Sequence, residues 1–173
     1  MNLPNKLTIG RIICTPVFVV LYAFGLNIPA FIVFFIASVT DLIDGRIARK
    51  LGQVTNFGKI MDPLADKILV YSAFCMFIQN GLMPGWMLIV ILAREFAVSG
   101  MRMVAASEGR VIAAGTTGKI KTILQMVAVH FIILESYHNL IHICGEVLLW
   151  ASLVMTVVSG AEYIIRNKDV FSM

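Results

Sequence analysis

A chain of 173 residues has the length of one domain, and a composition that is 59% hydrophobic and only 14% charged suits lipid better than water. The formal net charge is +4, yet the charges are segregated, with no Asp, Glu, Lys or Arg in residues 12–40, 68–93, 122–134 or 147–161. This excludes an ordinary soluble globule and offers nothing that points to nucleic acid; the surplus of cations reflects membrane topology and contact with anionic lipid. The sequence therefore predicts one all-α membrane domain over residues 1–173, a bundle of six transmembrane helices led by a short N-terminal interfacial helix.

Residues 2–11 are polar on one side and apolar on the other, the pattern of a helix lying at a membrane surface. The first span then covers residues 9–24. Lys6 and Arg11 ahead of an apolar run imitate a signal peptide, but no A-x-A-like site closes the run and Pro16 lies inside it, so the span is expected to stay uncleaved. Gly25 to Pro29 reads as a turn. The second span begins near Pro29 and ends in a polar cluster that starts at Asp41, and the remaining four occupy residues 59–79, 84–106, 118–137 and 142–165. The connections 25–29, 79–85 and 136–142 contain no Lys or Arg, whereas all 14 basic residues gather on the other side once Arg94 and Arg102 are counted there. By the positive-inside rule both termini and the stretch 41–67 face the cytoplasm. Cys14, Cys75 and Cys144 lie in apolar segments without CxxC spacing and are expected to be reduced, buried and inert.

The stretch 41–67 concentrates the chemistry. Asp41 and Asp44 are three apart and Asp62 and Asp66 four apart, so at about 100° per residue each pair shares one face of its own helix. Two facing helices would bring the four carboxylates together. Like charges about 4 Å apart repel by roughly 4 kcal/mol at an effective dielectric of about 20, so such a cluster needs protons or cations. Divalent metal is the better answer, and oxygen-only ligation with no Cys or His in the stretch suits Mg²⁺ or Mn²⁺ better than a structural zinc. Gly45 and Ala48 follow the second carboxylate, and Gly58 precedes the third by one turn. Small side chains there permit close approach by a helix or by a flat ligand such as a base, and spacing alone does not choose between the two.

Arg94 and Glu95 fall inside the fourth span. A charge at the centre of a lipid-facing helix costs about 2.5 to 3.5 kcal/mol, so both should face the bundle interior or a wet cavity, as a structural ion pair or in a substrate role. Arg102 lies roughly on the same face, and Arg110, Lys119 and Lys121 follow around the glycine-bearing segment 109–119. Cations around such a loop suit a phosphate better than a neutral alcohol. His138 and His142 have a spacing that metal sites use, but they belong to the outer connection, far from the aspartates, and are expected to be ordinary interfacial residues.

The pattern D-x-x-D-G-x-x-A-R, eight residues, then G-x-x-x-D-x-x-x-D runs through Asp41, Asp44, Gly45, Ala48, Arg49, Gly58, Asp62 and Asp66. It resembles the signature of the CDP-alcohol phosphotransferases, integral membrane enzymes of phospholipid synthesis. Within that family, NLPNKLTIGR, GKIMDPLADK and REFAVSGMRMVAASEGRVIAAGTTGKIKTILQ are similar to segments of the bacterial phosphatidylglycerophosphate synthases, and together they cover most of the chain up to Gln125. The resemblance implies transfer of a phosphatidyl group from CDP-diacylglycerol to the 1-hydroxyl of sn-glycerol 3-phosphate, with release of CMP. It implies that Asp41, Asp44, Gly45, Ala48, Arg49, Gly58 and Asp62 bind the CDP moiety. Two divalent cations, Mg²⁺ or Mn²⁺, would sit on Asp41, Asp44, Asp62 and Asp66, with Asp66 also the general base. It further implies a homodimer in a bacterial cell membrane. Arg102, Arg110, Lys119 and Lys121 are the candidate site for the acceptor phosphate. No Ser/His or Cys/His constellation is apparent, which favours direct in-line attack over a covalent enzyme intermediate. Two alternatives stay open: another acceptor, such as serine or inositol phosphate, and a cation transporter. A transporter would place its acids near the midplane, often on broken helices in repeated halves, whereas this chain has one unrepeated cluster at the cytoplasmic end.

Overall fold

The computed structural model describes the backbone of residues 3–50, 56–110, 112, 113 and 115–168, and the side chains of the same residues except 3, 4, 41–50, 56, 57, 59 and 60. Among the described residues the regular structure is all helical: α1 Leu3–Ala23, α2 Asn27–Lys50, α3 Asn56–Gln79, α4 Gly85–Ser107, α5 Thr116–Ile133 and α6 Asn139–Arg166, with a 3-10 turn at Glu135–Tyr137.

Two boundaries differ from those expected. The surface helix anticipated over residues 2–11 is not separate, because α1 runs unbroken from Leu3 through Pro16 to Ala23. Gly10 is the weakest helix former at that joint, and one glycine costs only about 1 kcal/mol, too little to stop a helix. Pro16 removes one rung of the ladder, while the Thr15 hydroxyl donates to the Arg11 carbonyl at 3.1 Å. The fifth helix stops at Ile133, short of the expected residue 137, because the chain tightens into the 3-10 turn.

The turns explain how apolar helices reverse so tightly. After α1, Gly25 takes φ 73°, its N–H donates to Tyr22 at 3.0 Å and the Leu26 N–H to Leu21 at 3.0 Å. This is a Schellman cap, and its left-handed residue carries a steric penalty for anything but glycine. The same cap closes α3 at Gly81 and α4 at Gly109.

Packing follows stripes of small and apolar residues. α6 buries Gly145, Leu149, Ser152, Thr156, Ser159 and Tyr163, an alternation of four and three residues that keeps one seam facing a partner, as in a left-handed helix pair. At Gly145 a Cβ would stand 2.9 Å from Ile132 Cγ1 and 3.3 Å from the Ile132 nitrogen, so α5 and α6 approach as closely as they do because that position has no side chain. α1, α2 and α3 meet through an aromatic core in which Phe18 lies 5.3 Å from Phe34 and Tyr22 lies 5.7 Å from Phe77, centroid to centroid. His130 of α5 stands edge-on to Phe31, Phe34 and Phe35 with Nδ1 2.7 Å from the Met126 carbonyl, and so packs as part of this core.

Much of the exterior among the described residues is apolar. Ile13, Val20, Phe24, Ile89, Phe96, Met103, Val147, Val154 and Ile165 are exposed, while Thr8, Arg11, Glu95, Lys121, Gln125, Ser152, Thr156 and Ser159 are buried. The cysteines are free, but Cys75 is exposed and Cys14 and Cys144 are half-buried, so the expectation of three buried thiols is corrected. Apolar residues here face outward as readily as inward, and a thiol in an apolar run has no preference between them. Among the described residues two helices are long and apolar enough to cross a membrane, over Asn5–Ala23 and Asn139–Arg166, and the apolar part of α2 runs over Asn27–Thr40.

Candidate active site

The start of α3 carries Asp62 and Asp66 one turn apart and both half-buried. α1 packs against α3, and through that contact the Thr8 hydroxyl donates to Asp62 Oδ1. Gly58, one turn before Asp62, is buried. The backbone of α2 is helical through Lys50, and five residues separate its end from Asn56, the start of α3. The last turns of α2 and the first turns of α3 therefore lie at the same end of the bundle. The side chains of Asp41, Asp44, Gly45, Ala48 and Arg49 lie outside the described residues. Asp62, Asp66 and the Thr8 hydroxyl offer oxygen donors only, a set that fits a hard divalent cation. Among the described residues no group of three or more His, Cys, Asp or Glu is placed to hold a metal.

Beside this end of α3 opens a cavity of about 620 Å³. Its wall is built from Pro63 and Lys67 of α3, from Arg94, Glu95, Ser99 and Arg102 of α4, from Thr117, Gly118, Lys119 and Lys121 of α5, and from Glu162, Tyr163 and Arg166 of α6. Six cationic side chains thus face two carboxylates. The first turn of α5 opens into the same space, and first-turn N–H groups have no acceptor within their own helix and carry the positive end of its dipole.

Glu95 and Lys121 reach each other because both occupy the buried stripe of their helix. Glu95 Oε1 accepts from Lys121 Nζ and from Arg94 Nη1 at 2.9 Å, and Oε2 lies 3.3 Å from Lys67 Nζ. Lys67 Nζ also donates to Ser99 Oγ at 3.4 Å. On the far wall Glu162 accepts from the Thr117 hydroxyl at 2.6 Å and pairs with Arg166 Nη2 at 2.8 Å. Arg102 lies against Tyr163, its Nε 3.2 Å from the phenol oxygen. Gly118 and Gly160 make room for Arg94, since a Cβ would stand 3.3 Å from its Nη2 at the first and 2.9 Å from its Cγ at the second.

Of the cations singled out in the sequence, the fold brings Arg102, Lys119 and Lys121 to this cavity. Arg110 stands apart, half-exposed beyond the Gly109 turn, with Glu108 3.9 Å away. Arg94 and Glu95 face inward, Glu95 buried and both lining the cavity, as expected from the sequence. The sequence reading missed Lys67, Thr117, Glu162 and Arg166 as cavity residues; the position of Lys67 directly after Asp66 was the one available signal. His138 caps α6 by accepting from the Leu140 N–H at 3.1 Å, and His142 pairs with Glu135 at 2.6 Å, both away from the cavity.

Comparison with known proteins matches the chain to relatives over nearly its whole length. A protein of Bacillus subtilis named CDP-diacylglycerol–glycerol-3-phosphate 3-phosphatidyltransferase is 43% identical, over 97% of this chain and 96% of the relative. A protein of the same name from Rickettsia bellii is 39% identical, over 98% of this chain and 97% of the relative. A probable phosphatidylglycerophosphate synthase of Mycobacterium tuberculosis is 36% identical, over 95% of this chain and 81% of the relative. The family model for CDP-alcohol phosphatidyltransferases matches residues 1–158, a stretch that takes in the whole aspartate signature and most of the cationic cavity, and on this match the chain belongs to the CDP-alcohol phosphatidyltransferase family.

Proposed function

We propose that the protein transfers the phosphatidyl group of CDP-diacylglycerol to the 1-hydroxyl of sn-glycerol 3-phosphate, giving phosphatidylglycerophosphate and CMP. The observation that carries this reading is the cavity of about 620 Å³ with its six cations, set against the turn of α3 that bears Asp62 and Asp66. The names of the relatives point to the same substrates.

Asp62 and Asp66, with Asp41 and Asp44 from the signature, would hold two divalent cations, Mg²⁺ or Mn²⁺. The chemistry supplied by such ions there would be neutralisation of the pyrophosphate and stabilisation of the departing CMP. The signature residues Asp41, Asp44, Gly45, Ala48, Arg49, Gly58 and Asp62 bind the CDP moiety. Thr8 holds Asp62 in place. Lys119, Lys121 and Arg102 receive the acceptor phosphate, assisted by Arg94, Lys67 and the first turn of α5, because charge-assisted bonds to a dianion are about twice as strong as neutral ones. Asp66, one turn beyond Asp62, takes the proton as the acceptor oxygen attacks the phosphatidyl phosphorus. The phosphorus–oxygen bond to CMP breaks as the new one forms, in line and without a covalent enzyme intermediate.

The protein works as a multi-pass membrane enzyme of six spans with this end in the cytoplasm. Support comes from the apolar exterior, the buried polar seam and the gathering of basic residues at one end. A homodimer follows from the family resemblance and is checked by light scattering in detergent. The reading as a whole is tested by CMP release from CDP-diacylglycerol in detergent with a panel of acceptors. Glycerol 3-phosphate should support turnover and serine should not, since serine brings no phosphate to the excess positive charge of the cavity. Release with serine or inositol phosphate alone would reassign the acceptor, and no release with any alcohol would end the transferase reading.

A further inference from the structure

We propose that Glu95 is the positioning residue of the acceptor cavity: its one carboxylate fixes the ammonium groups of Lys67 and Lys121 and ties the phosphate subsite to the helix that bears Asp62 and Asp66. The inference rests on the acceptor-phosphate reading of the cavity and adds a residue that does its work without touching the acceptor.

Three cations from three helices converge on this carboxylate. Lys121 of α5 and Arg94 of α4 reach Oε1, the latter at 2.9 Å, and Lys67 of α3 reaches Oε2 at 3.3 Å. Glu95 is only 7% exposed, so the group sits where water screens little. A lysine ammonium is a point charge on a flexible four-carbon stem. Two of them side by side in a cavity repel and swing apart unless a shared counter-ion holds both. Glu95 is that counter-ion, and one negative charge against three positive ones leaves an excess of two for a ligand. The second carboxylate of the wall, Glu162, is engaged by Thr117 at 2.6 Å and Arg166 at 2.8 Å, so the two acids hold different parts of the site.

Lys67 gives the arrangement its reach. It follows Asp66 directly in α3, and its ammonium is held from α4 by both Glu95 and Ser99. Through this contact the register of α3 against α4 and α5 is set at the level of the cavity. The distance from the acceptor's phosphate to its reacting hydroxyl is fixed by its own covalent structure. An enzyme using such an acceptor needs a matching fixed distance between phosphate subsite and general base, because a misplacement of about 1 Å costs on the order of 100-fold in rate.

The test measures kcat and both KM values for the full-length protein in mixed micelles, for the wild type, Glu95→Gln, Lys121→Gln and the double variant. Lys121→Gln should raise the acceptor KM by about 10-fold or more, and Glu95→Gln should raise it by about 5-fold with the CDP-diacylglycerol KM unchanged within about twofold. The double variant should fall well short of the product of the two singles, since Glu95 acts through the lysine. A kcat reduced only by loss of folded protein, with both KM values unchanged in Glu95→Gln, or full multiplicativity in the double variant, would overturn the proposal. If Glu95→Gln does not accumulate in membranes, Glu95→Asp keeps the charge but draws it back by one methylene; it should raise the acceptor KM in the same sense, and an unchanged value counts against the proposal. The two layers fail differently. Unchanged acceptor KM in both Lys121→Gln and Lys119→Gln removes the phosphate reading itself, whereas a raised value in those variants with none in the Glu95 variants removes only the positioning role.

Discussion

Lys119 and Arg110 carry the same charge nine residues apart, yet the fold gives them different surroundings. Lys119 stands on the first turn of α5 facing the cavity, while Arg110 projects beyond the Gly109 turn with Glu108 3.9 Å away. Loss of one charge-assisted contact costs roughly 1.5 to 3 kcal/mol, so Lys119→Gln should raise the glycerol 3-phosphate KM by about 10 to 150-fold. An exposed pair is worth under about 1 kcal/mol, and Arg110→Gln should move the same constant by less than about fivefold. Steady-state kinetics of the two variants side by side decides this; equal losses would return Arg110 to the cavity. At the signature, Asp62→Asn should abolish turnover, whereas Thr8→Val, which removes the hydroxyl that donates to the Asp62 carboxylate, should lower kcat by about 10 to 150-fold, the worth of one hydrogen bond to a charged group. The sequence singled out Lys119 and Lys121 as a basic pair beside a glycine-bearing loop, and the fold places both on the cavity wall. Glu162 and Thr117 were not legible there, since 45 residues separate them and nothing local records that the end of α6 returns to the start of α5.

At the scale of the helix, glycines tell close contacts from open faces. Gly145→Ala and Gly160→Ala each place a methyl 2.9 Å from a neighbouring side-chain atom, Ile132 Cγ1 in one and Arg94 Cγ in the other. Overpacking of this kind costs about 1 to 3 kcal/mol. At Gly10 nothing lies within 4 Å of the place a methyl would take, and Gly10→Ala should stabilise α1 by about 0.4 to 1 kcal/mol. Thermal unfolding in detergent, followed by tryptophan fluorescence, should order the variants with Gly10→Ala highest; a Gly160→Ala protein as stable as wild type would show that α4 and α6 have slack. Of the two destabilised variants only Gly160→Ala should also raise the acceptor KM, because only it pushes on Arg94. The helices themselves were legible from the charge gaps and the turn residues between them, although α1 starts earlier and α5 stops earlier than expected. The joint at Arg11 was not, because an amphipathic lead-in and an apolar continuation share one backbone geometry, and composition changes along a helix without ending it.

Among the described residues the cationic cavity and the α3 aspartates share one end of the bundle, and the largely apolar exterior surrounds the rest. Two measurements check the arrangement. Chelation with EDTA should abolish turnover and Mg²⁺ or Mn²⁺ should restore it, because uncompensated aspartates repel the donor pyrophosphate; full activity in excess chelator would sink the metal assignment. In a background free of Cys14, Cys75 and Cys144, a cysteine at Asn80, in the turn after α3, should react with an impermeant reagent added to intact cells, and one at Lys168, beyond α6, should not. The reverse pattern would invert the protein in its membrane.

The lopsided charge of the cavity, six cations against two carboxylates, also bears on ordinary bench practice. If the cavity receives the acceptor phosphate as proposed, it should also take up inorganic phosphate from a phosphate-buffered solution. Inorganic phosphate shares the dianionic head of the acceptor and lacks only its carbon chain. Assays in phosphate buffer should accordingly report a weaker enzyme than assays in a zwitterionic buffer of equal ionic strength, with the whole difference in the acceptor KM and none in the lipid donor's. Sulfate should imitate the effect and chloride should not, making the choice of salt an inexpensive gauge of how much of the acceptor's grip is phosphate alone.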